Sequence, residues 1–396
     1  MKAKIQILIM VFFSFCLPGC NNQLSLNQWE YKLIDSTRTG NDLVPDWGSF
    51  GLDVGDGNKD GYGDITAGKW FYLNPGKNAK NEWIKSAVAD TMDNVFIVDV
   101  DGDALTDIIG LRCNEQFWLE ALNEAHTSWK TTKIGNQKIC NHKMSSMGFV
   151  QADIFEGSKK ELLITDKPGK IWCFEIPDNT RGYWPVTIIT DDGGSEKYVA
   201  PGDIDGDGDL DLATGYKIDG AQNFSGVCWF ENPGQKTGGW NRYIVGKVEY
   251  TADHLAIADF DKNGTPEILV TEGRAPEAYP ASIYRFYSSS DKVKKTWTRE
   301  LVTIQHSTNS LEIADLDMDG DLDFVTGEHK GPRRLQVWEN DGSANFKLHV
   351  IDSLKESHNG TRLFDIEGDG DLDIVTTGWY DKSVHLWTNE TINDQE

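Results

Sequence analysis

The stretch DIDGDGDLDLATG, Asp203 to Gly215, is a short acidic loop that runs into a strand, and the chain writes it seven times. The other copies start at Asp56 (DGNKDGYGD), Asp99 (DVDGDALTD), Asp153 (DIFEGSKKE), Asp259 (DFDKNGTPE), Asp315 (DLDMDGDLD) and Asp365 (DIEGDGDLD). Successive starts lie 43, 54, 50, 56, 56 and 50 residues apart. A period of that size marks a solenoid, a propeller or an array. Around Asp203 the runs KYVAPGD, LDLATGY, GVCWFENPG and WNRYIVG follow one another. Each is short, rich in β-branched or aromatic residues, and bounded by Gly, Asn, Asp or Pro, as strands are. Four strands repeated radially make propeller blades.

The fourth strand opens on an aromatic residue, at Trp29, Trp83, Trp129, Trp184, Trp240, Trp297 and Phe346. That series is offset from the loops. Its first member precedes the first loop, and the last repeat stops at its third strand, SVHLWTN. Trp29–Asp35 is therefore expected to complete the final blade and join the two ends of the chain, which leaves no open sheet edge at the seam. The predicted fold is an all-β, seven-bladed propeller of four-stranded blades over residues 29–392.

Residues 1–19 read as a secretory signal. Lys2 and Lys4 precede an apolar run from Ile5 to Phe15, and Leu17-Pro18-Gly19-Cys20 follows. The Cys at the cut resembles a bacterial lipobox, with Pro18 as a departure from the usual residue. The resemblance implies lipid on Cys20, a linker over 20–28, and a protein held at the bacterial cell envelope only by that anchor. An ordinary signal with an incidental Cys is the alternative. The formal charge of −25 becomes −27 without the two lysines of 1–19. Such a balance excludes nucleic acid as a partner; a monomer is expected. Of the remaining cysteines, Cys113 and Cys140 share a repeat and are the candidate disulfide, while Cys173 and Cys228 fall in apolar strands and read as buried thiols.

The spacing D-x-D-x-D-G-x-x-D puts carboxylates at positions 1, 3, 5 and 9, with Gly at 6 for the sharp turn. Hard cations such as Ca²⁺ take six to eight oxygens, and such a loop supplies most of them. Strands flank it, so it is not an EF-hand. The loop resembles the FG-GAP or VCBS repeat, the calcium-loop blade of integrin α-chain propellers and many bacterial surface proteins. The resemblance covers nearly all of the chain after the signal and implies five or six structural Ca²⁺. The ligand sets are Asp203, Asp205, Asp207 and Asp211; Asp315, Asp317, Asp319 and Asp323; Asp365, Glu367, Asp369 and Asp373; Asp56, Asn58, Asp60 and Asp64; Asp99, Asp101, Asp103 and Asp107, with Ala104 in place of Gly; and Asp259, Asp261, Asn263 and Glu267. The Asp153 copy has Phe155 and Gly157 at ligand positions and is expected to bind nothing. The acids could instead only cap tight turns.

All seven loops join an inner strand to a second strand, so they share one face, and the opposite face opens on the channel. Four of the eight His, at His142, His254, His306 and His358, fall just before or at the start of inner strands on that face, with Tyr198. Lys69, Arg112, Lys167, Lys217, Arg274 and Lys330 follow the second strands. Such a cationic rim suits an anionic ligand, or is merely how bases sit at exposed strand ends. Glu328 and His329 add a carboxylate and an imidazole, and a further divalent metal in the channel is possible. The chain looks similar to the propeller part of sugar dehydratases that bear these repeats, and other propellers are uronate lyases. That likeness implies β-elimination on acidic oligo- or polysaccharide, by a carbon–oxygen lyase. His254 or Tyr198 would be the base, His306 or His358 the acid or metal ligand, and Arg274 or Lys217 the carboxylate's partner. The alternative is a non-catalytic propeller that binds a glycan or a protein, as in adhesins. A glycosidase would need a carboxylate pair, which only Glu328 with Glu272 or Asp46 could supply.

Overall fold

A computed structural model describes residues 25–38, 50–89, 92–139, 148–155, 157, 159–166, 169–191, 197–221, 223–236, 238–273, 280–357 and 360–392. It is a ring of seven four-stranded antiparallel sheets, each a meander that runs outward from the channel. Blade 4, for example, runs Val199–Gly202, Asp211–Tyr216, Gly226–Glu231 and Asn241–Lys247. The second strands are buried along their whole length, as in Asp64–Ala67 and Glu267–Gly273. They are packed on both faces by neighbouring blades. Outer strands such as Trp29–Asp35 mix half-buried with exposed positions, because only one face meets a neighbour. No helix of the described residues is long and apolar enough to cross a membrane.

The expected seam is present. Trp29–Asp35 pairs antiparallel with Val384–Asn389, in the sheet formed with Gly360–Phe364 and Asp373–Thr377. Arg38 sits behind the seam with no exposed surface, and its Nη2 donates to the carbonyls of Gly378 at 2.7 Å and Asp381 at 3.1 Å.

The recurrent aromatic at the start of the outer strand has a local cause. The indole N–H of Trp29, Trp83, Trp129, Trp184 and Trp297 donates to a carbonyl three or four residues back, at 2.7 to 3.1 Å. Each ring thereby closes the turn that leads into its strand while its body fills the space between blades. Cys113 is disulfide-bonded; Cys140, its expected partner, lies outside the described residues. Cys173 and Cys228 are buried thiols.

Candidate functional site

Two places collect polar chemistry: the acidic loops on one face, and the channel with its opposite mouth.

In the loops the acids at positions 1, 3 and 5 first shape the turn. Asp203 accepts from the N–H of Gly206 and Gly208, Asp205 from Asp207, and Asp207 from Asp209. Asp259, Asp315 and Asp365 accept from their loops in the same way. Position 9 has a different duty. Asp211 takes the N–H of Ile204 on one oxygen and that of Asn232, at the end of the third strand, on the other. Asp64, Asp107, Asp323 and Asp373 repeat this bolt. Glu161, in the loop expected to bind nothing, keeps half of it, accepting from Ile154 and Phe155. Position 9 therefore shapes the loop in its own right, and in the five aspartate copies it also fastens the loop to the third strand.

Three loops bring three carboxylates within 4.8 Å of one another: Asp99, Asp101 and Asp103; Asp203, Asp205 and Asp211; and Asp315, Asp317 and Asp323. Among the described residues the loops at Asp56, Asp259 and Asp365 do not, and no such group forms in the channel. Asp315 Oδ1 and Asp317 Oδ2 are buried without a hydrogen-bond partner. An all-oxygen donor set with orphaned carboxylate oxygens suits a hard divalent cation. Those three loops could hold Ca²⁺.

Burial pushes the position-9 aspartates up, to about 7 for Asp64, Asp107, Asp211 and Asp323 and about 9 for Asp373. Folding therefore takes up protons here. The stability these groups contribute is complete below about pH 4 and is lost as pH rises through 7 to 9. Metal-stripped protein is expected to melt about 5–10 °C lower at pH 8 than at pH 6 by scanning calorimetry. Added Ca²⁺ should remove most of that difference, because a bound cation holds the carboxylates ionised. An unchanged melting point across that range would contradict the assignment.

At the other mouth, Tyr198, just before the inner strand of blade 4, stacks on His254 of the next inner strand, Thr251–Ala258. Their ring centroids are 4.6 Å apart at 28°. His254 Nδ1 lies 3.0 Å from Asp253 Oδ1. Asp253 is fully buried; its other oxygen meets Lys197 Nζ at 3.2 Å and Asn309 Nδ2 at 3.2 Å. Burial pushes the Asp253 carboxyl up, but Lys197 and His254 outweigh it and hold it below the ordinary range. An ionised Asp253 only accepts, so Nδ1 of His254 carries the proton and Nε2 carries the lone pair. Nε2 makes no hydrogen bond among the described residues. Burial pushes the His254 imidazole down and the Tyr198 phenol up, the latter helped by the charge of Glu312. At neutral pH the pair is a neutral imidazole beside a protonated phenol.

Tyr198 also lines a channel cavity of about 150 Å³ with Asp53, Gln151, Glu312 and Arg362. Arg362 lies between the two acids, with Nη1 2.9 Å from Glu312 and Nε 3.6 Å from Asp53. Burial raises both carboxyls against that guanidinium. Val95, Phe96, Phe149 and Val150 form the apolar remainder of the wall. Counted three residues before each loop start, the chain reads Asp53, Phe96, Val150, Ala200, Ala256, Glu312, Arg362. The charges fall in three adjacent blades and face an apolar arc.

The other predicted residues fall elsewhere. Glu328 is buried and held by Arg334 through two hydrogen bonds, at 3.0 and 2.6 Å, so its charge is spent inside its own hairpin. Glu272 accepts three backbone N–H groups, from Glu249, Tyr250 and Ser282. Neither presents a carboxylate to the channel, and Asp46 lies outside the described residues. The His306 N–H points to Glu328 at 3.4 Å, and a Cβ at Gly331 would fall 2.5 Å from its ring, so His306 packs on that turn. His329 Nδ1 is 3.9 Å from Glu356 Oε1. Arg112 is turned to Glu115, while Lys217 is exposed. Arg274, His358 and Cys20 lie outside the described residues. Of the residues singled out in the sequence, the structure brings Tyr198 and His254 together; Lys197, Asp253, Asp53, Glu312 and Arg362 beside them are not among those singled out.

Residues 315–376, from the start of the sixth acidic loop into the last blade, match the family model described as FG-GAP-like repeat. A search of the curated proteins returns no match. Among solved structures, BBS1N in complex with ARL6DN is similar in crystals soaked with lead and with mercury. The TM-scores are 0.57 and 0.56 at 7% and 8% identity, over 93% of this chain and 98% of that one. An Agrocybe aegerita lectin solved for recognition of non-reducing terminal N-acetylglucosamine has a TM-score of 0.49 at 16% identity, over 76% of this chain and 80% of the lectin. The two BBS1N likenesses speak to the fold alone. The class defined by fold and repeat is a seven-bladed β-propeller with an FG-GAP-like repeat.

Proposed function

We propose that the protein is an envelope lipoprotein whose channel mouth acts on acidic carbohydrate by β-elimination. One observation carries the reading: the His254 imidazole, its Nδ1 3.0 Å from Asp253, is stacked on the Tyr198 phenol. A uronate carboxylate acidifies the hydrogen at C5. His254 Nε2 takes that proton, and Tyr198 Oη gives one to the oxygen leaving C4. The C4–O bond breaks as a C4=C5 double bond forms, so the sugar ends unsaturated and no water is consumed. Lys217 at the rim neutralises the carboxylate and the negative charge that builds on it, the role the sequence also offers Arg274.

The buried Lys197–Asp253 pair supports the reading. Removing two charges from water costs several kcal/mol per ion, and such pairs seldom stabilise a fold. Here the pair orients His254. A hydrolase is less well supported, because Arg362 fills the gap between Asp53 and Glu312 where a sugar would have to sit. A non-catalytic glycan-binding face would need stacking rings and hydrogen-bonders, but no aligned acid and base.

Product mass separates these outcomes. Digestion of a uronate polysaccharide is expected to give chain ends 18 mass units lighter than hydrolysis gives. Fragments that each carry one added water would sink elimination, and no fragments with retention on immobilised glycan would favour binding.

A further inference from the structure

We infer that the acidic loop of blade 5 carries its own cation, the guanidinium of Arg285, in place of a metal ion. The loop at Asp259 keeps the calcium spacing in sequence, yet it is not among those that gather three carboxylates. Arg285 stands on the third strand opposite Leu269, two residues past position 9. At the same register the other six blades carry Phe71, Trp118, Cys173, Trp229, Val337 and Leu386. All six are fully buried apolar side chains. Only blade 5 places a charge in that interior position.

The charge is used. Arg285 Nη1 lies 2.7 Å from Glu267 Oε1 and 3.6 Å from Asp261 Oδ2, and Nε and Nη2 clamp Glu300 at 2.9 and 2.7 Å. Its side chain is 11% exposed. Lysines also reach acids of other loops, Lys59 to Asp99, Lys262 to Asp321 and Lys294 to Asp205. Those lysines are 50, 54 and 39% exposed, where water and salt screen them. A half-buried guanidinium on two loop acids is a permanent counter-charge, and a divalent ion there would face it at close range.

The inner strand Thr251–Ala258 carries His254 and leads directly into this loop. A resident cation keeps that strand in place at Ca²⁺ concentrations that leave the other loops empty. The inference does not depend on the chemistry proposed for His254.

Hydrogen exchange with mass spectrometry on the whole chain, with Ca²⁺ and with chelator, tests it. Chelation is expected to strip amide protection from residues 99–107, 203–211 and 315–323 and to leave 259–267 unchanged. In Arg285→Gln, 259–267 should become Ca²⁺-dependent and native mass spectrometry should count one more bound Ca²⁺. Glu267 Oε2, buried and without a partner, is the oxygen the ion would take. An equal response of all four loops in the unmodified chain, whether all loosen or all hold, overturns the inference. If Arg285→Gln does not fold, Glu267→Gln decides: the Ca²⁺ count stays the same if Arg285 is the resident cation and falls by one if a metal sits there.

Discussion

Tyr198→Phe and His254→Gln are each expected to lower elimination on a uronate glycan by about 10²–10⁴-fold while binding changes by less than about threefold, because each removes a proton-transfer group and little else. The first substitution preserves the stack on His254 and loses only the hydroxyl that protonates the leaving oxygen. The second keeps a donor toward Asp253 and has no basic nitrogen. Both should leave the melting point within a few degrees of the parent, since the first keeps the ring and the second keeps a donor toward Asp253. The rate should also rise with pH through a value below the ordinary imidazole range, where His254 loses its proton, and stay level until the phenol ionises. Initial rates and isothermal titration on the same glycan make the comparison. Losses of rate and affinity in step would place the two residues in binding and not in chemistry.

Removing residues 25–38 is expected to abolish the closed ring. The cut takes away six paired positions on Val384–Asn389 and the Tyr72 hydroxyl's acceptor, Asp35. It also removes Arg38, whose loss leaves the carbonyls of Gly378 and Asp381 without that donor. Val384–Asn389 is buried along its whole length, and without its partner it becomes an apolar open edge, which templates association. The shortened chain should elute as soluble aggregate in gel filtration and show no cooperative thermal transition. A monomer with the parent's melting point would mean that the seam contributes little.

The fold is legible because two independent periodic signals agree: the acidic loop and the outer-strand aromatic. Their offset alone places Trp29–Asp35 in the last blade. The role of position 9 is not legible. An acid that ligates and an acid that bolts two strands look alike in sequence, and Glu161 shows that the loop half of the bolt survives where ligand positions are lost. Tyr198 and His254 stand out through their place before or at the start of inner strands. Their supports do not, because Lys197 and Asp253 are merely their chain neighbours, and nothing in a linear reading says that both side chains meet. The Asp53, Glu312 and Arg362 cluster does leave a signal: the position three residues before each loop start is apolar in four blades and charged in three consecutive ones. Glu328 misleads, because its partner Arg334 lies across a hairpin turn whose return cannot be read from spacing.

The most direct test is ultraviolet absorbance while the protein, with Ca²⁺, meets a panel of uronate-containing polysaccharides and their oligosaccharides. A rising band from a conjugated C4=C5 double bond is expected on at least one glycan and is expected to be absent with Tyr198→Phe. A flat trace across the panel, or a band that Tyr198→Phe leaves undiminished, would contradict β-elimination by this pair.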